Sequence, residues 1–360
     1  MAIKTEFYYS QLNSPKAKEL YRNILQSVRE RKTSAKVEDA HMKFDETALV
    51  IRAIEFDHPE LFYISFHEKE CEMVTYKNGA MEVKFCYLYS PEKEKKIIRQ
   101  TQEFVQYLTS HIPWTVKGSK YRTALWLHDT LIRNLSYDHE ASDKGSDEKP
   151  DAYTIVGGMT GKSAVCAGIT KLYQMLCEHE DIWCIYVSGN SLKKTEDGKK
   201  KLGENHAWNM IHLGQYYAYV DVTWDLIDDK EHVHFTHRYF GMSDSQCGQK
   251  HARKNKDFAD CLPVCVENNP LNYYIQSGTY MKSFQQLEQL IKKMAKEGKT
   301  NISFQIAPQG RDCRVIAERT ILWMGEWIKR YLKRSAEEVM SWTWWSDEDM
   351  MTFEYHVSYD

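Results

Sequence analysis

The sequence predicts an α+β protein, and three observations carry that reading. Amphipathic runs with clear start signals mark several helices. An Asn78-Gly79 step between alternating segments marks a β-hairpin. From Val156 onward, one helix is followed by consecutive strands in hairpin order, which gives an antiparallel sheet with a helix against it. At 360 residues the chain exceeds what one core usually holds. We divide it into an N-terminal α+β accessory region (1–115), a central core (116–270) and a small C-terminal α+β subdomain (271–360).

Taken in order, residues 15–32 carry Leu20, Ile24, Leu25 and Val28 at helical spacing behind Ser14-Pro15. Residues 48–66 begin helix-like, break before Pro59 and resume as a strand-like run. The hairpin spans 72–89. Helices follow over 92–111, opened by Ser90-Pro91, and over 119–135. A Gly-rich loop then leads into a helix that starts at Cys166. WCIYVSG (183–189) is a strand, KKTEDGKKK (193–201) a charged turn, and 204–213 and 215–225 two strands joined at Gly214. The tail holds a helix over 283–297, the strand NISFQI, a long helix over 311–337 and a closing aromatic hairpin. Alternation sets Trp342 and Trp344 of that hairpin on one face, expected to be a core face.

Composition narrows the function. Apolar residues make up 42% and charged residues 28%, as in ordinary globular chains. A formal charge of −3 argues against a nucleic-acid partner. No apolar run approaches the roughly 18 residues that cross a bilayer, so no membrane role is expected. MAIKTEFYYSQLNSPKAKELY lacks the apolar stretch of a signal peptide. Nine cysteines, an odd number without framework spacing, fit a reducing compartment, and a cytoplasmic location is expected.

Two of those cysteines share GKSAVCAGITKLYQMLC (161–177). Cys166 falls where the helix begins, and a helix N-terminus favours an anion such as a thiolate. Cys177, eleven residues on, gets no such help and reads as packing. Lowering a thiol pKa from about 8.5 to about 5 takes roughly 5 kcal/mol at 1.36 kcal/mol per unit. A helix terminus supplies about 0.3 to 1 kcal/mol. An imidazolium must supply most of the rest. His206 and Asp221 stand 15 residues apart around the turn at Gly214, spacing that lets them lie opposite each other on one face of a strand pair. The Cys166 helix is then expected to pack on that face.

HDTLIRNLSYD (128–138), GGMTGKSAVCAGITKLYQMLC (157–177), NHAWNMI (205–211) and YAYVDVTWD (217–225) resemble the transglutaminase-like superfamily, which has a papain-like fold. The order Cys, His, Asp and the separations of 40 and 15 residues suit that family, over about 120–240. The resemblance implies that Cys166 is the nucleophile, His206 the base and Asp221 the orienting acid. It implies attack on an amide carbonyl of a protein or peptide, a thioester intermediate, and resolution by water or an amine. No cofactor and no metal is implied. Trp208 and Trp224 flank the His and Asp, and are expected to shield them or to bind the substrate's stem; burial as packing aromatics is the alternative. Ile169 stands where the family shows an aromatic residue after Cys-x-Gly, which we read as a packing variation.

Other readings of the same residues stand beside these. Asp225 is the alternative acid, and His212 alternates to the face of His206. HVHFTH brings His232, His234 and His237 together, and Cys247, His251, Cys261 and Cys265 follow in a Cys-x₃-His…Cys-x₃-Cys order that could ligate zinc. Structural zinc sites more often use Cys-x₂-Cys knuckles, so a polar loop with buried thiols is expected. A catalytically silent module that binds a peptide or cell-wall fragment is the alternative function.

Overall fold

The computed structural model describes residues 6–65, 71–195, 199–226, 237–254, 258–307, 313–333 and 340–359. They form a mixed α/β protein of helices and mainly antiparallel sheets. Helices Pro15–Arg29, Pro91–Ser110 and Lys120–Asn134 each start on a serine whose side chain accepts a first-turn N–H: Ser14, Ser90 and Ser119. Helix Phe44–Asp57 stops before Pro59, but the run after it yields only the two-residue strand Ile64–Ser65. Glu72–Thr75 and Met81–Lys84 form the hairpin, with Ser34–Val37 added as a third strand.

The N-terminal helices join the central sheet through one apolar cluster that runs from Leu20, Ile54 and Phe56 to Ile185, Trp208, Met210 and Tyr219. Phe56 stacks on Tyr186 at 4.7 Å. The Asp57 carboxylate accepts from Tyr8 N–H, Tyr9 N–H and the Tyr21 hydroxyl, tying helix Phe7–Gln11 down.

The central sheet has five strands in the order Phe240–Met242, Tyr216–Val220, Lys200–Leu213, Trp183–Lys194 and His251–Arg253, all neighbours antiparallel. Helix Cys166–His179 buries Ile169, Leu172, Tyr173, Leu176 and Cys177 in one core with Cys184, Ile211, Ala218 and Val220. Each such aliphatic side chain contributes about 1.5–3 kcal/mol relative to exposure. Three sequence expectations change here. The charged stretch 193–201 is strand at both ends, because Lys193 and Lys194 pair with Lys201 and Lys200; residues 196–198 lie outside the described set. The strand expected over 215–225 ends at Val220, where Asp221 caps the short helix Val222–Asp225. Edge strands 240–242 and 251–253 were not anticipated.

In the tail, Tyr280–Met281 pairs in parallel with Asn301–Ile306, which pairs with Thr352–Tyr359 and through it with Met340–Asp347. Helices Phe284–Lys296 and Cys313–Tyr331 share a core with this sheet. Trp342 packs against that core, but Trp344 is 41% exposed, so the expected core face holds only for Trp342. Polar contacts join the tail to the central sheet's surroundings. The Gln305 side chain accepts from Gln246 and Asn272, and the Tyr239 hydroxyl donates to Asp347. No described helix is long and apolar enough to cross a membrane.

Candidate active site

Cys166 opens its helix, preceded at the N-cap by Val165, which has no side chain to cap the first turn. Its backbone N–H groups are therefore left to whatever anion sits there. The turn is seated tightly. Val165 N–H donates to Ala152 O at 3.1 Å, and a Cβ added at Gly168 would lie 2.4 Å from that same oxygen and 2.8 Å from Thr154 O. Gly168 is thus required by a backbone-to-backbone approach. Cys166 itself is partly exposed. A cavity of about 200 Å³ adjoins this turn, lined by Ala167, Lys171, Tyr153, Arg52, Glu55 and His58. Lys171 Nζ and Glu55 Oε1 pair within it at 3.1 Å.

His206 Nε2–H donates to Asp221 Oδ2 at 2.6 Å, with both side chains buried. The Cys166 thiol lies close enough to the same ring to act on its charge. Because Asp221 holds Nε2, Nδ1 is the nitrogen left for the sulfur. Burial opposes a charge on His206, but the Asp221 carboxylate and the Cys166 thiol outweigh it and hold the ring's pKa up at about 10. Burial pushes Asp221 the other way, yet His206 and His251 keep its carboxyl well below the usual range. His206 and Asp221 therefore meet, with Cys166 near the ring.

They meet by a different route from the expected one. Along the His206 strand, Asn209 faces the helix, donating Nδ2–H to Thr170 O at 3.1 Å and to Ile185 O at 3.3 Å. Period-2 alternation puts His206 and Trp208 on the opposite pleat. The helix body packs on the pleat away from His206, and only its first turn reaches the imidazole. Asn209 is a helix-to-sheet strap that the sequence reading passed over.

Trp224 stacks on His206 at 4.5 Å and 13° and remains partly exposed. Trp208 stacks on the same ring at 5.9 Å but is 0% exposed, so it offers no surface to a substrate. That corrects a substrate-binding role for Trp208: it backs the histidine from inside. Asp225 accepts instead from His128 Nε2 at 3.2 Å and from Tyr239 N–H, away from His206. His212 stacks on Tyr217 at 4.1 Å at the strand's far end.

The residue missed by sequence reasoning is His251. It was grouped with Cys247, Cys261 and Cys265 as a possible zinc set, yet its Nε2 meets Asp221 Oδ2 at 2.9 Å. Cys261 is exposed while Cys247 and Cys265 are buried. Of the HVHFTH stretch, His232 and His234 lie outside the described residues, and His237 Nε2 donates to Asp129 Oδ1 at 2.9 Å. Two groups, His206–Asp221–His251 and His128–Asp129–His237, hold their donor atoms within 4.8 Å of one another. Hydrogen bonds inside each group account for that closeness, and we assign neither to a metal.

By sequence, no family model and no curated protein matches the chain. Two solved structures overlay part of it. One is a TGase, 10% identical over 51% of this chain and 51% of that one, with a TM-score of 0.29. The other is a proposed cysteine protease from Cytophaga hutchinsonii, 14% identical over 43% of this chain and 61% of that one, with a TM-score of 0.25. The chain spans about half the length of the first and less than two thirds of the second. Scores this low leave the functional reading to the site's own geometry.

Proposed function

We propose that the protein is a cysteine-dependent enzyme that acts on amide bonds of proteins or peptides, by hydrolysis or acyl transfer, within a papain-like, transglutaminase-like core. One observation carries the reading: a buried imidazole paired with the Asp221 carboxylate at 2.6 Å, with the Cys166 thiol near enough to influence its charge. Cys166, His206 and Asp221 act as nucleophile, base and orienting acid, with Trp224 as the aromatic wall on the substrate side.

The Cys166 proton passes to His206 Nδ1, giving a thiolate beside an imidazolium that Asp221 stabilises. The thiolate adds to the amide carbonyl, and the backbone N–H of Cys166 receives the developing oxyanion. Collapse breaks the C–N bond, His206 gives its proton to the leaving nitrogen, and a thioester remains. Water or a second amine then attacks the thioester. His206 takes the attacker's proton and returns it to the sulfur as the acyl group leaves.

Iodoacetamide modification of Cys166 against pH, followed by mass spectrometry, tests this. Wild type is expected to alkylate readily at mildly acidic pH, and His206→Ala only as pH rises towards the free-thiol value of about 8.5. If both titrate at the free-thiol value, the reading fails. With the pair established, ammonia release from a glutamine peptide, with and without a primary amine, separates deamidation from transfer; new peptide termini report proteolysis.

A further inference from the structure

His251 is the first residue of the edge strand His251–Arg253 and caps helix Asp244–Lys250, so the chain arrives there in a fixed direction. Its side chain is wholly buried. The ring lies 4.1 Å from Trp224 and 4.6 Å from Trp208, the two indoles that also flank His206. Nδ1 lies 3.2 Å from Cys247 O, and Nε2 lies 2.9 Å from Asp221 Oδ2. That second contact matters most, because Oδ2 is also the oxygen His206 uses. The other oxygen, Oδ1, accepts Trp224 N–H at 3.1 Å. Asp221 therefore takes three donors with its side chain wholly buried.

A bare buried carboxylate would hold the His206 proton too firmly. The reaction proposed above needs that proton to leave at each step, and transfer is best from an acid whose pKa lies near the working pH. A second N–H on the same oxygen draws off part of its charge. It also stops the carboxylate from turning, since Oδ1 is pinned by the Trp224 amide. Besides Asp221, the titratable groups around the two rings are the Cys166 and Cys247 thiols and the Tyr239 phenol.

We propose that His251 is a positioning residue. By donating Nε2–H to Asp221 Oδ2 it fixes that oxygen and shares its charge, so that His206 can release the proton it takes from Cys166. The functional part rests on the amide-cleaving reading; the sharing of Asp221 stands or falls separately.

The test titrates the His206 ring by histidine NMR in the full chain, assigned with His206→Gln, and follows Cys166 alkylation in parallel. Three backgrounds are compared. His251→Phe keeps a ring between the indoles but removes the donor. His251→Gln sets an amide N–H where Nε2 stood. His251→Asn, whose shorter side chain does not reach Asp221, serves as the donor-free variant if the Phe variant does not fold. Without the donor, the His206 pKa is expected to rise by about one unit, as loss of one hydrogen bond to a charged group implies. His251→Gln should return it to the wild-type value. An unmoved His206 in every variant, with only thermal stability lowered, makes His251 a packing residue and overturns the proposal. A fall in the donor-free variant means that Asp221 has swung away, which overturns charge sharing. If wild-type Cys166 alkylates like His206→Ala, the enzyme reading fails, while the His206 titration still decides whether Asp221 is shared.

Discussion

Gly168→Ala sets helix propensity against a close backbone contact, and the structure supplies the numbers that decide between them. Alanine is favoured over glycine inside a helix by about 0.5–1 kcal/mol. Against that, the new methyl would lie 2.4 Å from Ala152 O and 2.8 Å from Thr154 O. A carbon meets a carbonyl oxygen comfortably at about 3.3 Å, so the helix start must retreat by roughly 0.9 Å. Neither obstacle is a side chain that can turn aside. Ala152 O also accepts the Val165 N–H bond, which the retreat would stretch. Overpacking of this kind costs about 1–3 kcal/mol, and a weakened hydrogen bond about 0.5–1.5 kcal/mol. The contact wins, and the variant should be less stable by about 1–3 kcal/mol, a Tm loss of several degrees.

The larger effect is expected at the sulfur. Cys166 is two residues from the methyl, and a displacement near 1 Å from His206 can cost about 10²-fold in rate. Thermal unfolding and the alkylation rate of Cys166 at pH 6 are the assays, with Gly161→Ala as control because no atom beyond its chain neighbours lies within 4 Å of its new methyl. Gly168→Ala more stable than the parent, with Cys166 alkylating at the parental rate, would refute the seating of this turn.

Two further predictions follow from the buried histidines. Asp221→Asn keeps an acceptor for Trp224 N–H but removes the charge, and should lower the His206 pKa by about 1–2 units, the equivalent of one charge-assisted bond; a His206 NMR titration that does not move would count against the pairing. His128 has both ring nitrogens on carboxylates, Asp129 at 3.0 Å and Asp225 at 3.2 Å. Burial opposes its charge, but the two acids hold its pKa up at about 9, above the ordinary 6.5. Its contribution to stability is therefore complete below pH 6.5 and lost as pH rises through about 9. Urea unfolding of wild type should weaken across that window, and His128→Gln should flatten the slope there.

What the sequence made legible is what local chemistry encodes. Ser14, Ser90 and Ser119 announce helices because a side-chain oxygen satisfies a first-turn N–H within three residues. The pairing of His206 with Asp221 was legible because a two-strand turn fixes their relative places within a short span. The pleat was not. A strand's period assigns two faces but does not say which one a helix covers, and Asn209, which decides it, bonds to a carbonyl 39 residues away. His251 was hidden for a related reason. It reaches Asp221 from an edge strand 30 residues later, and its Cys-x₃-His spacing to Cys247 pointed to a different chemistry. Asp221 did carry an overlooked signal: an Asp directly before a short helical turn is an N-cap, which places the strand's end at Val220.

The same capping logic isolates Val165. Serine caps several of this chain's helices, including Ser243 and Ser283, while the helix that bears Cys166 begins on a valine that cannot cap it. A missing cap costs about 1 kcal/mol, and Val165 returns part of that by packing with Ala141 and Ala152. Val165→Thr preserves the shape and adds a hydroxyl that can accept the Ala167 or Gly168 N–H. If the empty cap were only a packing accident, the variant would gain stability and leave the thiol unchanged. If the free N–H groups help to hold a thiolate, engaging one must weaken their pull on the sulfur by a fraction of the helix-terminus contribution of about 0.3–1 kcal/mol. That corresponds to a rise of up to about 0.7 units in the apparent pKa of Cys166 at 1.36 kcal/mol per unit. The pH dependence of alkylation separates the cases: a stabilised protein whose thiol titrates higher ties the uncapped turn to the chemistry, and a stabilised protein with an unshifted curve ties it to packing alone.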